Sequence, residues 1–194
     1  HGINRPEHLD WALHGDGKDL LDWAHGEGHA AQVGFSSHGS QALIAAAISS
    51  GRFQFCSLHL HLLDPQRLPL AHQALEQGMG VLAISPADKG GRLQAPSPTL
   101  INDCAPFSPL QLAYRFLLAQ GISTLSVGAA QASDLELAAA LQSSDFPLTP
   151  EEESSLQRLA NHRRERVGAD LCGQCQACLP CPNEVPIPEL LRLR

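Results

Sequence analysis

Short apolar runs alternate with segments of helical periodicity between residues 30 and 145 of the chain. The four predicted strands cover residues 31–36, 53–61, 80–85 and 122–127. The predicted helices cover about residues 40–50, 68–77, 109–120 and 134–141. Because strands alternate with helices, the pattern predicts right-handed βαβ units and a parallel sheet.

Four such units correspond either to half of an eight-fold (β/α) barrel or to a small open doubly wound sheet. No Gly-x-Gly-x-x-Gly follows a predicted strand, which disfavours the usual dinucleotide-binding version of the open sheet. Beyond the last unit, Thr149, Pro150 and three glutamates predict the start of a helix that runs to about Val167. We therefore predict two parts: a barrel-like part at residues 1–148, and a helical, cysteine-rich part at residues 149–194.

Composition narrows the class of protein. A hydrophobic content of 43% is that of a globular protein, and no apolar run is long enough to span a bilayer, so no membrane association is expected. A net charge of −7 argues against nucleic acid as a partner. Six cysteines without a secretory signal favour a reducing, cytoplasmic location.

The chain begins at His1 and its only methionine is Met79, which predicts a fragment or a processed piece.

Four arginines lie close together on the predicted C-terminal helix: Arg158, Arg163, Arg164 and Arg166. We interpret them as a solvated helix face. The alternative is that they bind an anionic partner or shield a cluster.

Four cysteines follow that helix at three-residue intervals and precede Pro182: Cys172, Cys175, Cys178 and Cys181. Tight runs of this kind hold iron–sulfur clusters, although the bacterial ferredoxin run has one more residue before its last cysteine. Structural zinc usually takes its ligands from two separated pairs, and cysteines three apart seldom form good disulfides. The spacing therefore favours a 4Fe-4S cluster over zinc or disulfides.

Three segments in a fixed order resemble the aldo/keto reductases: residues 34–38, 80–91 and 126–130. The chain resembles the C-terminal half of that family's (β/α)8 TIM barrel, from the end of the fourth strand through the eighth. Its tail resembles a subgroup of aldo/keto-reductase-like oxidoreductases with a C-terminal Cys-x-x-Cys-x-x-Cys-x-x-Cys-Pro segment. The resemblance implies an oxidoreductase that acts on a small-molecule substrate, with NADP or NAD, and with a redox protein partner for the cluster.

The resemblance also implies roles for individual residues. Ser36 and Ser37 match residues that hold the nicotinamide amide, and Ser57 stands where the family has a glutamine with that role. The segment with Lys89, Gly90 and Gly91 matches the loop that covers the cofactor pyrophosphate, where glycines allow close approach of backbone amides and the lysine adds charge. Ile84, Ala130 and Ala138 replace a tyrosine, an arginine and an asparagine that contact the cofactor. A preference for NADP over NAD is therefore not implied.

The catalytic histidine of the family matches His1. The aspartate, tyrosine and lysine that complete the reductase tetrad come from earlier strands, so this chain alone cannot assemble that site. Tyr114, the only tyrosine, lies on an apolar helical pattern and is predicted to be structural. The two histidines at the end of the second predicted strand, His59 and His61, are interpreted as residues that pack or form hydrogen bonds there.

Two functions from different classes follow. In the first, the chain is part of an aldo/keto-reductase-like oxidoreductase with a C-terminal 4Fe-4S cluster and redox chemistry linked to NADH or NADPH. In the alternative, the barrel is degenerate and the protein is an iron–sulfur electron-transfer or partner-binding module without reductase activity. A third hypothesis is that the tail is a structural segment held together by zinc.

Overall fold

Four parallel strands form a single sheet in the order in which they occur along the chain. The computed structural model describes residues 1–88, 91–141, 147–168, 172 and 178–192. The strands are β1 (Gly34–Ser37), β2 (Phe55–His59), β3 (Gly80–Ile84) and β4 (Thr124–Leu125). Strands β2, β3 and β4 lie inside their predicted ranges, whereas β1 begins later than predicted and ends one residue beyond, at Ser37. Each is shorter than predicted, because the pairing stops where the flanking residues turn away. Sequential parallel pairing is the arrangement expected for part of a (β/α) barrel.

Helices connect and flank the strands. In chain order they are α1 (Pro6–His14), α2 (Asp16–Gly26), α3 (Gln41–Ser49), α4 (Leu68–Glu76), α5 (Pro98–Cys104), α6 (Pro109–Ala119), a 3-10 turn (Ala132–Leu135), α7 (Glu136–Leu141), α8 (Pro150–Val167) and α9 (Ile187–Arg192). The predicted helices that correspond to α3, α4, α6, α7 and α8 are confirmed. None of the helices in the described part of the chain is long and apolar enough to cross a membrane.

Three of these helices, α1, α2 and α5, were not expected from the apolar pattern. The first two each bury few residues and expose a tryptophan, so their apolar periodicity is weak. The third has only seven residues and starts at Pro98, where the Ser97 hydroxyl accepts a hydrogen bond from the Leu100 amide. Short helices that start at a cap and a proline can be found from those residues better than from periodicity.

The sheet has one apolar face and one mixed face. Phe35, Cys56, Leu58, Val81 and Ala83 point to one side and are buried in the main apolar core, together with residues of α3 and α4. The alternate residues of the same strands point to the other side. They pair in register as Gly34 with Phe55 and Ser36 with Ser57. Ser36, Ser57 and His59 therefore lie on the face opposite the main core.

The first residues of the chain run along the outer edge of β1. The Ile3 amide donates to the Ser36 carbonyl over 2.9 Å, and the Ser37 hydroxyl donates to the Ile3 carbonyl over 2.5 Å. The His38 amide donates to Asn4 Oδ1 over 2.7 Å. These bonds satisfy part of an otherwise open sheet edge and fix the position of His1 beside β1.

Helix α8 packs beside α5 and α6 through a second, smaller apolar core. Leu159 is buried there with Leu100, Cys104 and Leu112. Arg115 of α6 binds Glu152 of α8 with two hydrogen bonds of 2.7 and 3.1 Å, and both side chains are buried. Polar contacts thus orient the tail helix, while apolar burial supports it.

The interpretation of the arginines of α8 as a solvated face is confirmed for Arg164 and Arg166, which are exposed, and is wrong for Arg158 and Arg163, which are half-buried. Arg158 donates to the Asp103 carbonyl, Arg163 to the Leu63 carbonyl, and Arg166 to the Asp103 carboxylate. Carbonyl oxygens at the ends of neighbouring elements are good acceptors for guanidinium groups, which draws Arg158 and Arg163 inward, whereas Arg166 bonds Asp103 from an exposed position.

Candidate functional site

Polar side chains cluster where β1, β2 and β3 end. Ser36 and Ser37 close β1, His59 closes β2, and Ser85 follows β3 directly. Because the strands are parallel, their carboxyl ends meet at one edge of the sheet, which is where barrel enzymes place their chemistry. This carboxyl edge is the candidate functional site.

His1 and Ser36 form a pair at this edge. Ser36 Oγ lies 2.7 Å from His1 Nδ1 and accepts a hydrogen bond of 2.9 Å from the Gly2 amide. Besides accepting from the amide, Ser36 Oγ forms a second hydrogen bond with Nδ1, whose direction follows the tautomer of His1. His1 is exposed, so Nε2 can contact a bound molecule.

The three serines predicted to contact nicotinamide do not share one face. Ser36 and Ser57 are register partners on neighbouring strands, so their side chains lie next to each other on the mixed face. Ser37 points to the opposite side, is fully buried, and uses its hydroxyl to bond Ile3 and the Gly39 amide. The structure brings together His1, Ser36 and Ser57 but not Ser37.

The predicted pyrophosphate loop is described in part. Lys89 and Gly90 lie outside the described residues. Gly91 has a φ of +73°, in the left-handed region, and its amide donates to the Asp88 carbonyl. A Cβ at Gly91 would stand 2.9 Å from Gln94 Oε1, so glycine suits both the backbone and the space.

A second group at the edge was missed in the sequence. His59, His61 and Asp88 place one potential ligand atom each within 4.8 Å of one another. His61 Nε2 lies 3.5 Å from Asp88 Oδ1, and both of these side chains are almost fully buried. The sequence interpretation kept the two histidines as packing residues and did not consider Asp88. Their two-residue spacing at a strand end, on one face of β2, is the signal that could have drawn attention to them.

Burial is the main reason that His59 resists protonation. It lowers the pKa of His59 to about 4, and the nearby charges of His61, Arg67 and His38 lower it further. The ring of His59 stands 5.0 Å from that of His61, between ring centres. At neutral pH the imidazole of His59 is uncharged and keeps a lone pair on one nitrogen.

The cysteine segment begins beside the loop that follows β2. Gln66 of that loop donates from Nε2 to the Cys172 carbonyl over 3.4 Å. Cys172 and Cys181 are half-buried and Cys178 is exposed, whereas Cys175 lies outside the described residues. No disulfide joins the described cysteines to one another.

The two remaining cysteines lie in apolar cores. Burial raises the pKa of the Cys56 thiol to about 12. Burial, with the nearby charge of Asp103, raises the pKa of the Cys104 thiol to about 11. Both thiols are completely buried and are therefore protonated and unreactive at neutral pH. Tyr114 is also buried, as expected for a structural residue of α6.

Comparison with known proteins supports the fold. No protein-family model matches the chain, and no curated protein matches it. Among solved structures, the chain is similar to the holo form of aldo-keto reductase AKR11C1 from Bacillus halodurans, with a TM-score of 0.60 and 20% identity. The match covers 73% of this chain and 52% of that structure, so the chain spans about half of its length. The chain thus has an α/β fold consistent with part of a TIM barrel.

Proposed function

We propose that the chain is part of an aldo/keto-reductase-like oxidoreductase that carries a 4Fe-4S cluster on Cys172, Cys175, Cys178 and Cys181. A small molecule is its substrate, and a redox protein is the partner of the cluster. The fold similarity supports the barrel part of this proposal. The spacing of the cysteines supports the cluster.

The observation that carries the proposal is the contact between Gln66 and Cys172. Gln66 lies in the loop after β2, so the cysteine segment starts at the carboxyl edge, on the same side of the sheet as the His1–Ser36 pair. Helix α8 supports that placement, because Arg163 donates to the Leu63 carbonyl in the same loop. A cluster held there would be close to the edge at which barrel enzymes bind their substrates.

The residues fit the proposed cluster by their chemistry. Four thiolates are the usual ligands of a 4Fe-4S cube, and such a cube gains and loses single electrons. The protein supplies the thiolates, and the first of them is anchored through its backbone by Gln66. Partial burial of Cys172 and Cys181 limits contact with water, which affects the potential of an iron–sulfur centre.

The barrel residues would bind and orient. Ser36 holds the imidazole of His1 through Nδ1, and Nε2 of His1, when it carries a proton, would donate to the oxygen of a substrate. Ser36 and Ser57, side by side, would contact the amide of NAD or NADP, and Gly91 would belong to the loop over the pyrophosphate. Ser37, with its hydroxyl bonded inside the chain, has no such role in this proposal.

The cluster is tested by anaerobic reconstitution of the full chain with ferrous iron and sulfide. We expect a brown protein with about four iron and four acid-labile sulfide per chain, and an electron paramagnetic resonance signal after reduction. Cys178→Ser should lose iron, sulfide and signal. Cys104→Ser is the matched control, because Cys104 is buried in an apolar core, and it should keep all three. Bound zinc without iron or sulfide would refute the cluster.

The alternative, a degenerate barrel that serves only as an iron–sulfur module, is favoured by the inward bonding of Ser37. Titration of the reconstituted protein with NADH and with NADPH separates the two functions. Binding of either nucleotide that weakens in Ser57→Ala supports the oxidoreductase. Absence of binding of both would leave the module as the function.

A further inference from the structure

We propose that His59, His61 and Asp88 form a site for a divalent transition metal of the zinc type, separate from the cysteine segment. The site would lie at the carboxyl edge, between the end of β2 and the loop that follows β3. It is independent of the proposed iron–sulfur cluster, since it uses none of the cysteines.

The distances suit a metal. The three ligand atoms already lie within 4.8 Å of one another, and the His61 Nε2 to Asp88 Oδ1 separation is 3.5 Å. Ligand atoms about 2.0–2.1 Å from a tetrahedral zinc ion are roughly 3.3 Å apart. Small side-chain rotations would therefore bring all three atoms to bonding distance.

The chemical type of the three ligands also favours zinc over calcium or magnesium. Imidazole nitrogens suit zinc and its neighbours in the transition series, whereas calcium and magnesium prefer oxygen ligands throughout. Two histidines and one carboxylate leave a fourth tetrahedral position for water or a small molecule, as in catalytic zinc sites.

The backbone fixes the positions of two of the ligands, His61 after β2 and Asp88 after β3. His61 forms an isolated bridge with Asp64, just after β2. Asp88 closes a tight turn in which both Ser85 and Asp88 have positive φ, at 54° and 65°. Left-handed backbone at two non-glycine residues in four costs free energy and is concentrated at functional sites. This turn is what buries the Asp88 carboxylate against His61.

Arg92 completes the surroundings. Its Nε lies 3.3 Å from Asp88 Oδ2, while Oδ1 faces His61. Carboxylates that bind metals are commonly held by a second contact of this kind, which fixes the orientation of the carboxylate. The Asp88 carboxylate thus has one oxygen directed to the histidines and the other to a cation.

The test uses the full chain in which the four tail cysteines are replaced by serine, so that thiolates cannot bind the added metal. Zinc chloride is titrated by calorimetry, and cobalt chloride by visible absorption. We expect one ion per chain and cobalt bands typical of a tetrahedral nitrogen and oxygen site. Circular dichroism and urea unfolding confirm that each variant is folded.

Two ligand variants and one control complete the experiment. His59→Gln and Asp88→Asn should each weaken zinc binding by at least about 10- to 100-fold, the loss known even for residues that only support ligands. His72→Gln, a half-buried histidine on α4, is the matched control and should bind as the parent does. Failure of the parent to bind zinc or cobalt, or equal affinity in all three variants, would overturn the proposal. Either result leaves the cysteine cluster untouched.

Discussion

The apolar core behind the sheet and the attachment of helix α8 are stabilised by different interactions. Behind the sheet, Ile44, Cys56 and Leu58 are completely buried among other apolar side chains. Helix α8 buries Leu159 in a smaller core, but its position is set by the Arg115–Glu152 pair and by the bonds to Asp103. Apolar burial is nondirectional, whereas paired charges work only in a narrow geometry.

This difference has a consequence for the proposed function. The main core can tolerate side-chain changes of similar volume without moving the strands. The tail helix, which leads directly to the cysteine segment, depends on a few polar contacts. We therefore compare two variants that lose the same free energy of unfolding. The one that loses a polar contact of α8 should displace the cysteines more than the one that loses a core side chain.

The largest effect is expected from Arg115→Ala. The change leaves the Glu152 carboxylate buried without its guanidinium, and breaking such a pair costs about 3–5 kcal/mol of the free energy of unfolding. Urea unfolding measures the loss. Arg164→Ala, at an exposed position on α8, is the control and should change stability by no more than about 0.5 kcal/mol. A loss equal to that control would show that the pair does not hold the helix.

A somewhat smaller loss of unfolding free energy is expected from a change in the main core. Leu58→Ala removes a fully buried side chain and should lower the free energy of unfolding by about 2–5 kcal/mol. Iron content after reconstitution should stay the same in the folded protein, unlike that of Arg115→Ala. Leu20→Ala, at a half-exposed position on α2, should change stability by less than about 0.5 kcal/mol. Equal loss of iron in both destabilised variants would contradict the contrast between core and tail.

The smallest effect is expected at the second polar anchor of the tail. Burial opposes ionisation of the Asp103 carboxyl, but hydrogen bonds from Arg166 and His162 outweigh it and hold its pKa below the usual 3.8. Both partners are partly exposed, so Asp103→Asn should cost about 1–2 kcal/mol. Because the folded pKa is lowered, this stability is complete above the unfolded pKa and is lost as pH falls through the folded value.

The pH dependence gives the measurement. Urea unfolding of the parent and of Asp103→Asn should differ most at neutral pH, and the difference should shrink below pH 3.8. A difference that stays constant down to acid pH would mean that Asp103 acts through packing rather than charge.

Most of the sheet and its helices could be predicted from the sequence, because apolar periodicity reports directly on burial. Helix α8 was predicted to within a residue at each end, since Thr149 and Glu152 form a capping box and Gly168 stops the helix. Helices α1 and α2 were not, because they bury little. The inward bonds of Arg158 and Arg163 were also missed, since their acceptors are backbone carbonyls, which every residue carries.

The candidate site was only partly visible in the sequence. His1 contacts Ser36 at the carboxyl edge, and its catalytic role stays a prediction. The separation of Ser37 from Ser36 follows from strand alternation and was overlooked. Asp88 lies 27 residues after His61 and comes close to it because β3 pairs beside β2 and a left-handed turn at Ser85 and Asp88 follows β3. Positive φ at non-glycine residues leaves little trace in composition, so the position of Asp88 was not predictable from the sequence. The iron–sulfur segment stays a prediction.

The carboxylate of Glu152 has two tasks at once. Its Oε2 accepts from the Thr149 amide over 2.8 Å, which closes the first turn of α8, and from Arg115 over 3.1 Å, which holds α8 to α6. Formation of the first turn and its attachment to the barrel are therefore coupled in folding. The amides of this turn should exchange with solvent hydrogen on the timescale of global opening instead of fraying locally, as helix ends usually do. Helix α8 should thus fold and unfold together with the barrel-like part.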